Sequence, residues 1–492
     1  MARFRLTYGA LPTNLLLLDV PPEVSALLKN NDVPPESQIP LIHDIISDGQ
    51  TELDELEAIL AQLIPRRNEV AERVRQHRAV LSAVRRVPPE LIGDISALTL
   101  SDNDDAAGAT ANKPPWYLGH ICRSWRHAAL SYPRLWSYIA VPSFLAFKDS
   151  PLLSGIQAQL FRSASGPLDI RWPFVQDDIN SDLLDLVLPH SNRWRSLTFD
   201  PGAYSSATNC LGPVNGRLDQ LEQLKAVHCS AMTIPDIFSI TPNLRRIILT
   251  DEFFSDSPRI AIQWGQITHY KGSYTRERQR DILRTAPNLL ECVLGFSGTD
   301  VDHLSHISMI TVPHLRRLCL TKPNFLSNLT TPLLEDLCVF NVDSAARVLP
   351  PFLHRSSCTL KRLSLLYCTI DSAVISALRE LPNLTYLRLE YAAGNEVDWI
   401  SPMFISGAPS DVCPNLTTFV FGYASAAPIH WNSFFDMARS RFQRLGRLYF
   451  YHNLIFPPED LLNELKMMED EGFDVVTLSP FSPQLMKDIC RF

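Results

Sequence analysis

Between Thr51 and Val84 apolar residues recur at alternating intervals of three and four: Leu53, Leu56, Leu60, Leu63, Val70, Val74, Leu81 and Val84, with Arg67 and His77 at the intervening seam positions. That spacing predicts a helical segment with a heptad seam, assigned to residues 44–86 behind an N-terminal extension, residues 1–43. Pro65 interrupts the pattern. A proline inside a helix costs about 3 kcal/mol, so the segment reads as two helices that meet there. Charge divides it in the same way: Glu52, Asp54, Glu55 and Glu57 lie before the proline, and Arg66, Arg67, Arg73, Arg75, Arg78, Arg85 and Arg86 after it, against only Glu69 and Glu72. Complementary halves predict a hairpin or antiparallel self-association, and the plainer alternative is an amphipathic helix packed on its own protein. No aromatic residue is interleaved with the arginines, so nucleic acid is not an expected partner.

Farther along, a different pattern repeats. The stretches Pro-Asn-Leu-Arg-Arg-Ile-Ile-Leu (242–249), Pro-Asn-Leu-Leu-Glu-Cys-Val-Leu (287–294), Pro-His-Leu-Arg-Arg-Leu-Cys-Leu (313–320) and Pro-Asn-Leu-Thr-Tyr-Leu-Arg-Leu (382–389) share an L-x-x-L-x-L core. The core recurs from Leu334, Leu360 and Leu416, with weaker copies from Trp194, Leu221, Ile267 and Leu445; successive first positions are 19 to 32 residues apart. That period is within or close to the range of leucine-rich repeats. In each copy the last part predicts a short strand with alternate residues inward, while the first leucine enters the core from the preceding turn. Helical stretches such as Ser372–Leu381 and Trp431–Phe442 form an outer layer. One such unit buries too few side chains to offset its own ordering entropy, so the units must stack into a solenoid, assigned to residues 150–480 with a tail at 481–492. The flanking positions, among them Lys225, Arg246, His269, Lys271, Glu291, Arg317, Asp336, Arg362, Tyr386, Arg388, Glu390, Arg447, Tyr449 and Tyr451, then face its concave surface, with Asp200, Cys319 and Cys338. Seven are Lys or Arg and four are Asp or Glu. A local basic excess favours an acidic or phosphorylated protein partner, and Arg246, Arg317, Arg362, Arg388, Tyr386 and Arg447 are the candidate substrate-binding residues, although an ordinary solvated strand face has a similar mixture.

Between the two patterns lie Arg85-Arg86-Val87-Pro88-Pro89-Glu90-Leu91-Ile92-Gly93-Asp94-Ile95 and, later, Leu118-Gly119-His120-Ile121-Cys122-Arg123-Ser124-Trp125-Arg126, leading to Pro133-Arg134-Leu135-Trp136. Pro88 and Pro89 can open a helix, because its first N–H groups have no partner within it. Leu91, Ile95 and Leu98 line one face; Leu118, Ile121, Cys122, Trp125 and Ala129 recur at helical spacing on another. Ser101–Lys113 reads as a solvated loop between them. These residues, about 50 in all, resemble an F-box, and the heptad segment running straight into Val-Pro-Pro-Glu-Leu resembles the large fungal group of F-box-like proteins. The resemblance implies a small helical module at residues 87–140 that docks on a Skp-family adaptor through Pro88, Leu91, Ile95 and Trp125. Through the adaptor it would reach an SCF-type cullin-RING ubiquitin ligase. Ser96 stands where the family often has a large apolar residue.

Composition narrows the rest. The chain of 492 residues has 46% hydrophobic and 20% charged residues and a formal net charge of −8, which gives no bulk attraction to nucleic acid or an anionic membrane. Thirty-seven prolines against 19 glycines fit an array of short, sharply ended elements. The ten cysteines include no C-x-x-C pair and read as reduced thiols of an intracellular protein, cytoplasmic or nuclear. The apolar run Leu15–Leu18 is too short for a membrane span. No phosphate-binding, metalloprotease or nucleophile-elbow motif is present, Gly295-Phe296-Ser297-Gly298 included, and Asp104, Asp105, Asp177 and Asp178 read as loop charges. The expectation is an α/β chain: a heptad helical segment and an F-box-like helical module, then a leucine-rich-repeat horseshoe. It acts as a non-catalytic substrate receptor without cofactor or metal, or else as a scaffold of the same build that recruits no ligase.

Overall fold

The computed structural model describes residues 21–29, 32–98, 115–140, 150–172, 181–199, 211–227, 236–250, 261–296, 308–340, 345–368, 372–391, 400–408, 411–423, 431–441, 444–452 and 459–478. The Ser101–Lys113 loop, Asp104, Asp105, Asp177, Asp178, Asp200, Ser297, Gly298, Cys210, Cys229, Cys490, Leu15–Leu18 and the 481–492 tail lie outside the described residues. The chain divides into two units, Met1–Pro88 and Pro89–Phe492.

The first unit contains α1, Pro22–Leu27, and α2, Ile39–Val80. The helix α2 is 42 residues long with Pro65 inside it. This corrects the sequence expectation of two helices, and with it the hairpin. Proline removes one N–H and crowds one carbonyl, a local cost of about 3 kcal/mol, and the turns that follow are reinforced by side-chain pairs. Arg66 and Arg73 both donate to the Glu69 carboxylate, holding its pKa below the usual carboxylate range, and Arg75 and Gln76 hold Glu72. Pairs three and four apart each add a few tenths of a kcal/mol to a helix. The apolar seam of this helix is left exposed within its own unit. None of its residues is buried, and Leu53, Leu56, Leu60, Leu63, Val70 and Val74 are 39 to 54% exposed.

The second unit opens with α3 (Pro89–Ala97), α4 (Leu118–Ile121) and α5 (Arg123–Leu130), then a 3-10 turn, Pro133–Trp136. Ile92, Gly93 and Ser96 form the buried face of α3. Gly93 is required there, because a Cβ would lie 2.5 Å from the Tyr132 ring, whose hydroxyl donates to Asp94. The helical spacing read through Ile121 and Cys122 is broken: Cys122 is extended, with φ −162°, and separates α4 from α5. Leu118 and Ala129 pack with Leu135, Trp136 and the partly buried Trp125, whereas Ile121 and Cys122 are exposed. The Trp136 indole donates to the Ala129 carbonyl at 2.7 Å. In α6 (Ser150–Arg162) the Arg162 guanidinium lies 4.8 Å and 4.4 Å from the ring centroids of Trp116 and Trp136, which ties the helical module to the rest of the unit.

The remainder is mixed α/β, built on one open parallel sheet of 14 strands added in chain order. They are β1 (Tyr138–Ala140), β2 (Leu168–Trp172), β3 (Trp194–Phe199), β4 (Gln223–Val227), β5 (Arg246–Thr250), β6 (His269–Tyr274), β7 (Glu291–Phe296), β9 (Arg317–Leu320), β11 (Asp336–Phe340), β12 (Arg362–Cys368), β13 (Tyr386–Tyr391), β14 (Thr418–Tyr423), β15 (Arg447–His452) and β16 (Asp474–Leu478). Two short strands, β8 (Ile310–Thr311) and β10 (Leu329–Thr330), pair separately. Between strands run α7 (Ser181–Val187), α8 (Arg276–Thr285), α9 (Ala345–Ser356), α10 (Ser372–Arg379), α11 (Trp431–Ser440) and α12 (Glu459–Asp470).

Every first position of the L-x-x-L-x-L copies, from Trp194 to Leu445, is buried. From Leu221 onward each stands two residues before its strand, and the inward rows, such as Leu318, Leu337, Leu363, Leu387 and Phe419, lie side by side in register. They meet Ile282, Phe352, Leu378 and Phe434 from the helices in one continuous core. The Pro-Asn turns add a ladder of their own: the Asn243, Asn288 and Asn415 amides donate to Asp219, Gly265 and Pro382 carbonyls at 2.7, 2.7 and 3.0 Å. Three strands of the large sheet lie outside the repeat pattern. β1 and β2 precede it, and in β16 Gly472, with φ 98°, stands where the others have the first leucine.

Candidate functional site

The sheet face opposite the core carries two outward rows. One runs Asp169, Ser196, Gln223, Arg246, His269, Glu291, Arg317, Asp336, Arg362, Tyr386, Thr418, Arg447 and Asp474, each beside the next. Two residues on, the second row includes Arg171, Lys225, Lys271, Val293, Cys319, Cys338, Arg388, Val420 and Tyr449. The predicted alternation therefore brings the described candidate residues to one face, and parallel pairing aligns them.

Toward the start of the sheet this face forms a recess of 990 Å³ lined by Tyr138, Asp169, Arg171, Arg195, Ser196, Thr198, Glu222, Gln223, Lys225, Asn243, Arg245, Arg246 and Ile248. Five cations, Arg171, Arg195, Lys225, Arg245 and Arg246, face two carboxylates, Asp169 and Glu222. Arg195 holds Asp169 in a two-pronged pair, its Nε donating at 3.0 Å. A second hollow of 180 Å³, lined by Gln223, Arg246, Ile247, Ile248, His269, Glu291 and Arg317, shares Arg246 with the first. Burial, with the Arg246 charge next, holds the His269 imidazole below its ordinary pKa, so it is neutral at neutral pH.

Farther along the same rows the arginines are engaged by neighbouring strands. Arg317 donates to Glu291 at 3.0 Å and to Asp336 at 3.2 Å, and Arg362 reaches Asp336 at 3.4 Å while its guanidinium lies 3.7 Å from the Tyr386 ring centroid. Burial pushes the Asp336 carboxyl above its ordinary value, against the pull of Arg362 and Arg317. Arg388 is 3% exposed and lies 3.8 Å from Glu390. Arg447 donates to Asp474 at 2.8 Å. Apolar patches interrupt the charges, Val293 with Cys319, Cys338, Phe340 and Leu366, and Tyr386 with Val420 and Tyr449. Tyr367, at an irregularity in β12, has φ 54°, a left-handed conformation that costs a non-glycine residue about 1 kcal/mol, and its hydroxyl is held by Glu390.

Of the predicted substrate-binding residues, Arg246 lies in the recess, while Arg317, Arg362, Tyr386, Arg388 and Arg447 belong to this paired region. Arg171, Arg195 and Arg245 were missed. Arg171 and Arg195 precede the clear repeats, and Arg245 stands one position before its strand.

The helical module presents a second surface. Leu91 and Ile95 on α3 and Leu98, the residue after its end, are 51, 52 and 87% exposed and continue one helically spaced stripe. Ser96 faces the interior at 1%, so its departure from the F-box pattern falls on the buried side of the helix. Trp125 lies on α5, which packs against α3, and is half-buried in the module core. Pro88 is the last residue of the other unit.

Among the described residues no cluster of three or more His, Cys, Asp or Glu side chains is placed to hold a metal ion, and no helix is long and apolar enough to cross a membrane. No protein-family model matches the chain, and no curated protein is similar enough to count as a match.

Proposed function

We propose that this chain is a non-catalytic substrate receptor: an F-box-like module recruits a Skp-family adaptor and its cullin-RING ubiquitin ligase, and a leucine-rich-repeat solenoid holds a protein substrate. The observation that supports the first part most directly is the Leu91, Ile95 and Leu98 stripe. Three large apolar side chains one helical turn apart are costly to leave in water, each contributing about 1.5–3 kcal/mol when fully buried, and a partner helix or groove would cover them. The second part is supported by the cationic recess, whose five cations suit an acidic or phosphorylated segment of a protein. Bond-making groups would belong to the recruited enzyme, and this chain would act by proximity.

Co-purification of the full chain with a Skp-family adaptor tests this reading. Leu91→Glu with Ile95→Glu should abolish adaptor capture while the circular dichroism of the sheet stays unchanged. If the unmutated chain captures no adaptor, ligase recruitment is rejected and the alternative, a scaffold of the same build, takes its place.

A further inference from the structure

Among the described residues, the helix α2 carries an apolar seam of which no residue is buried. From Ile39 to Ile64 it has six carboxylates, Asp44, Asp48, Glu52, Asp54, Glu55 and Glu57, and no Lys or Arg; from Pro65 to Val80 it has five arginines and two glutamates. Such a helix is complementary to itself run backwards. We infer that α2 is a homodimerisation helix, pairing antiparallel with α2 of a second copy of this chain.

The seam fixes a register. When positions whose numbers sum to 116 face each other, Leu56 meets Leu60, Leu53 meets Leu63, Ile46 meets Val70, and Ile42 meets Val74 of the second copy. The seam cation Arg67 then falls opposite Gly49, where there is no side chain to displace it, beside Asp48. A hollow of 280 Å³ on α2 is lined by Val70, Arg73, Val74, His77, Arg78 and Leu81, and it is where Ile42 of the second copy inserts. Val70, Arg73, Val74 and His77 have the four-residue spacing of a hole that receives a knob from a facing helix. Pro65 lies two positions after Leu63, on the face opposite the seam, so its ring does not enter the contact. Glu52 comes beside Arg66 of the other copy, twice by symmetry. Glu57 meets its own symmetry mate at the solvated rim, a contact small beside the apolar layers. A parallel, in-register pair would instead stack acidic half on acidic half and Arg67 on Arg67.

Sedimentation of the full chain across protein concentration, with circular dichroism as the check on folding, tests this inference. The expected result is a dimer that Leu60→Glu converts to a folded monomer. Glu52→Arg should weaken association about tenfold, by setting arginine against Arg66 at two places, and adding Arg66→Glu should restore it. A chain monomeric to about 100 μM would overturn the inference. So would a dimer that ignores Leu60→Glu, or one that Glu52→Arg tightens, which is the response of a parallel pair with Glu52 beside Glu57.

Discussion

Arginines occupy the same outward face of the sheet near its start and toward its end, and their neighbours give them different work. Near the start, five cations share a recess with two carboxylates. Toward the end, Glu291, Asp336 and Asp474 stand beside Arg317, Arg362 and Arg447 on adjoining strands, and Arg388 is buried next to Glu390. An arginine at an outward strand position is thus not a binding residue by its type. The adjacent strand decides how many carboxylates stand against it.

The sharpest break of this comparison is Arg441, just after α11 and 3% exposed. Its guanidinium donates to the Met403, Val412 and Cys413 carbonyls, at 2.9, 2.7 and 3.0 Å, and so fastens the segment between β13 and β14. Arg441→Met should cost about 3–5 kcal/mol of stability, because three buried carbonyls lose their donor. Denaturant unfolding measures this, and an unchanged midpoint would refute a structural role.

In the recess the readout should invert. Lys225→Ala with Arg246→Ala should lower the affinity for an acidic or phosphorylated peptide about tenfold and flatten its salt dependence. Titration calorimetry at two salt concentrations checks both halves of the statement. A large loss of stability would place these cations with the structural arginines instead.

Arg317→Ala should do the opposite of the recess pair. Glu291 and Asp336 lose a shared donor in a half-buried setting, at about 1–2 kcal/mol, with peptide affinity changed less than about twofold. Equal losses in both assays would erase the distinction between the two ends.

The smallest effect belongs to His269, at the border of the two regions. Its pKa in the fold is below its free value, so its contribution to stability is present above the free value near pH 6.5 and is lost as pH falls through the folded one. Charging it adds a cation beside Arg246. An aspartate- and glutamate-rich peptide should therefore bind about two- to threefold more tightly at a pH below the folded pKa than at pH 7.5, and His269→Gln should remove that change. A fluorescence titration at the two pH values would show it, and an identical pH response in the variant would assign the effect elsewhere.

Much of this was legible along the chain. The inward rows repeat as leucines at fixed spacing, so their burial and shared face follow from strand periodicity alone. The outward alternation is equally plain, and it grouped Arg246, Arg317, Arg362 and Arg388 correctly on one face. What it could not rank was their electrostatic fate, because the partner of Arg317 is 19 residues away at Asp336 and 26 away at Glu291. Arg195 was missed for the same reason: its partner Asp169 stands before the clear copies of the repeat.

Local rules also met their limit in the helices. The penalty for Pro65 is real, yet a long helix whose following turns are tied by Arg66, Glu69 and Arg73 runs through it. At Cys122 the helical spacing was sound and the backbone nevertheless turned out of the helix. By itself the sequence determined which side chains face inward, where turns interrupt the strands, and that residues 44–86 carry an apolar seam flanked by opposed charge, since these depend on periodicity and residue type. The tertiary structure alone decided which cations share a recess and which carboxylates stand beside each arginine, because that depends on strand register, which brings together charges far apart along the chain.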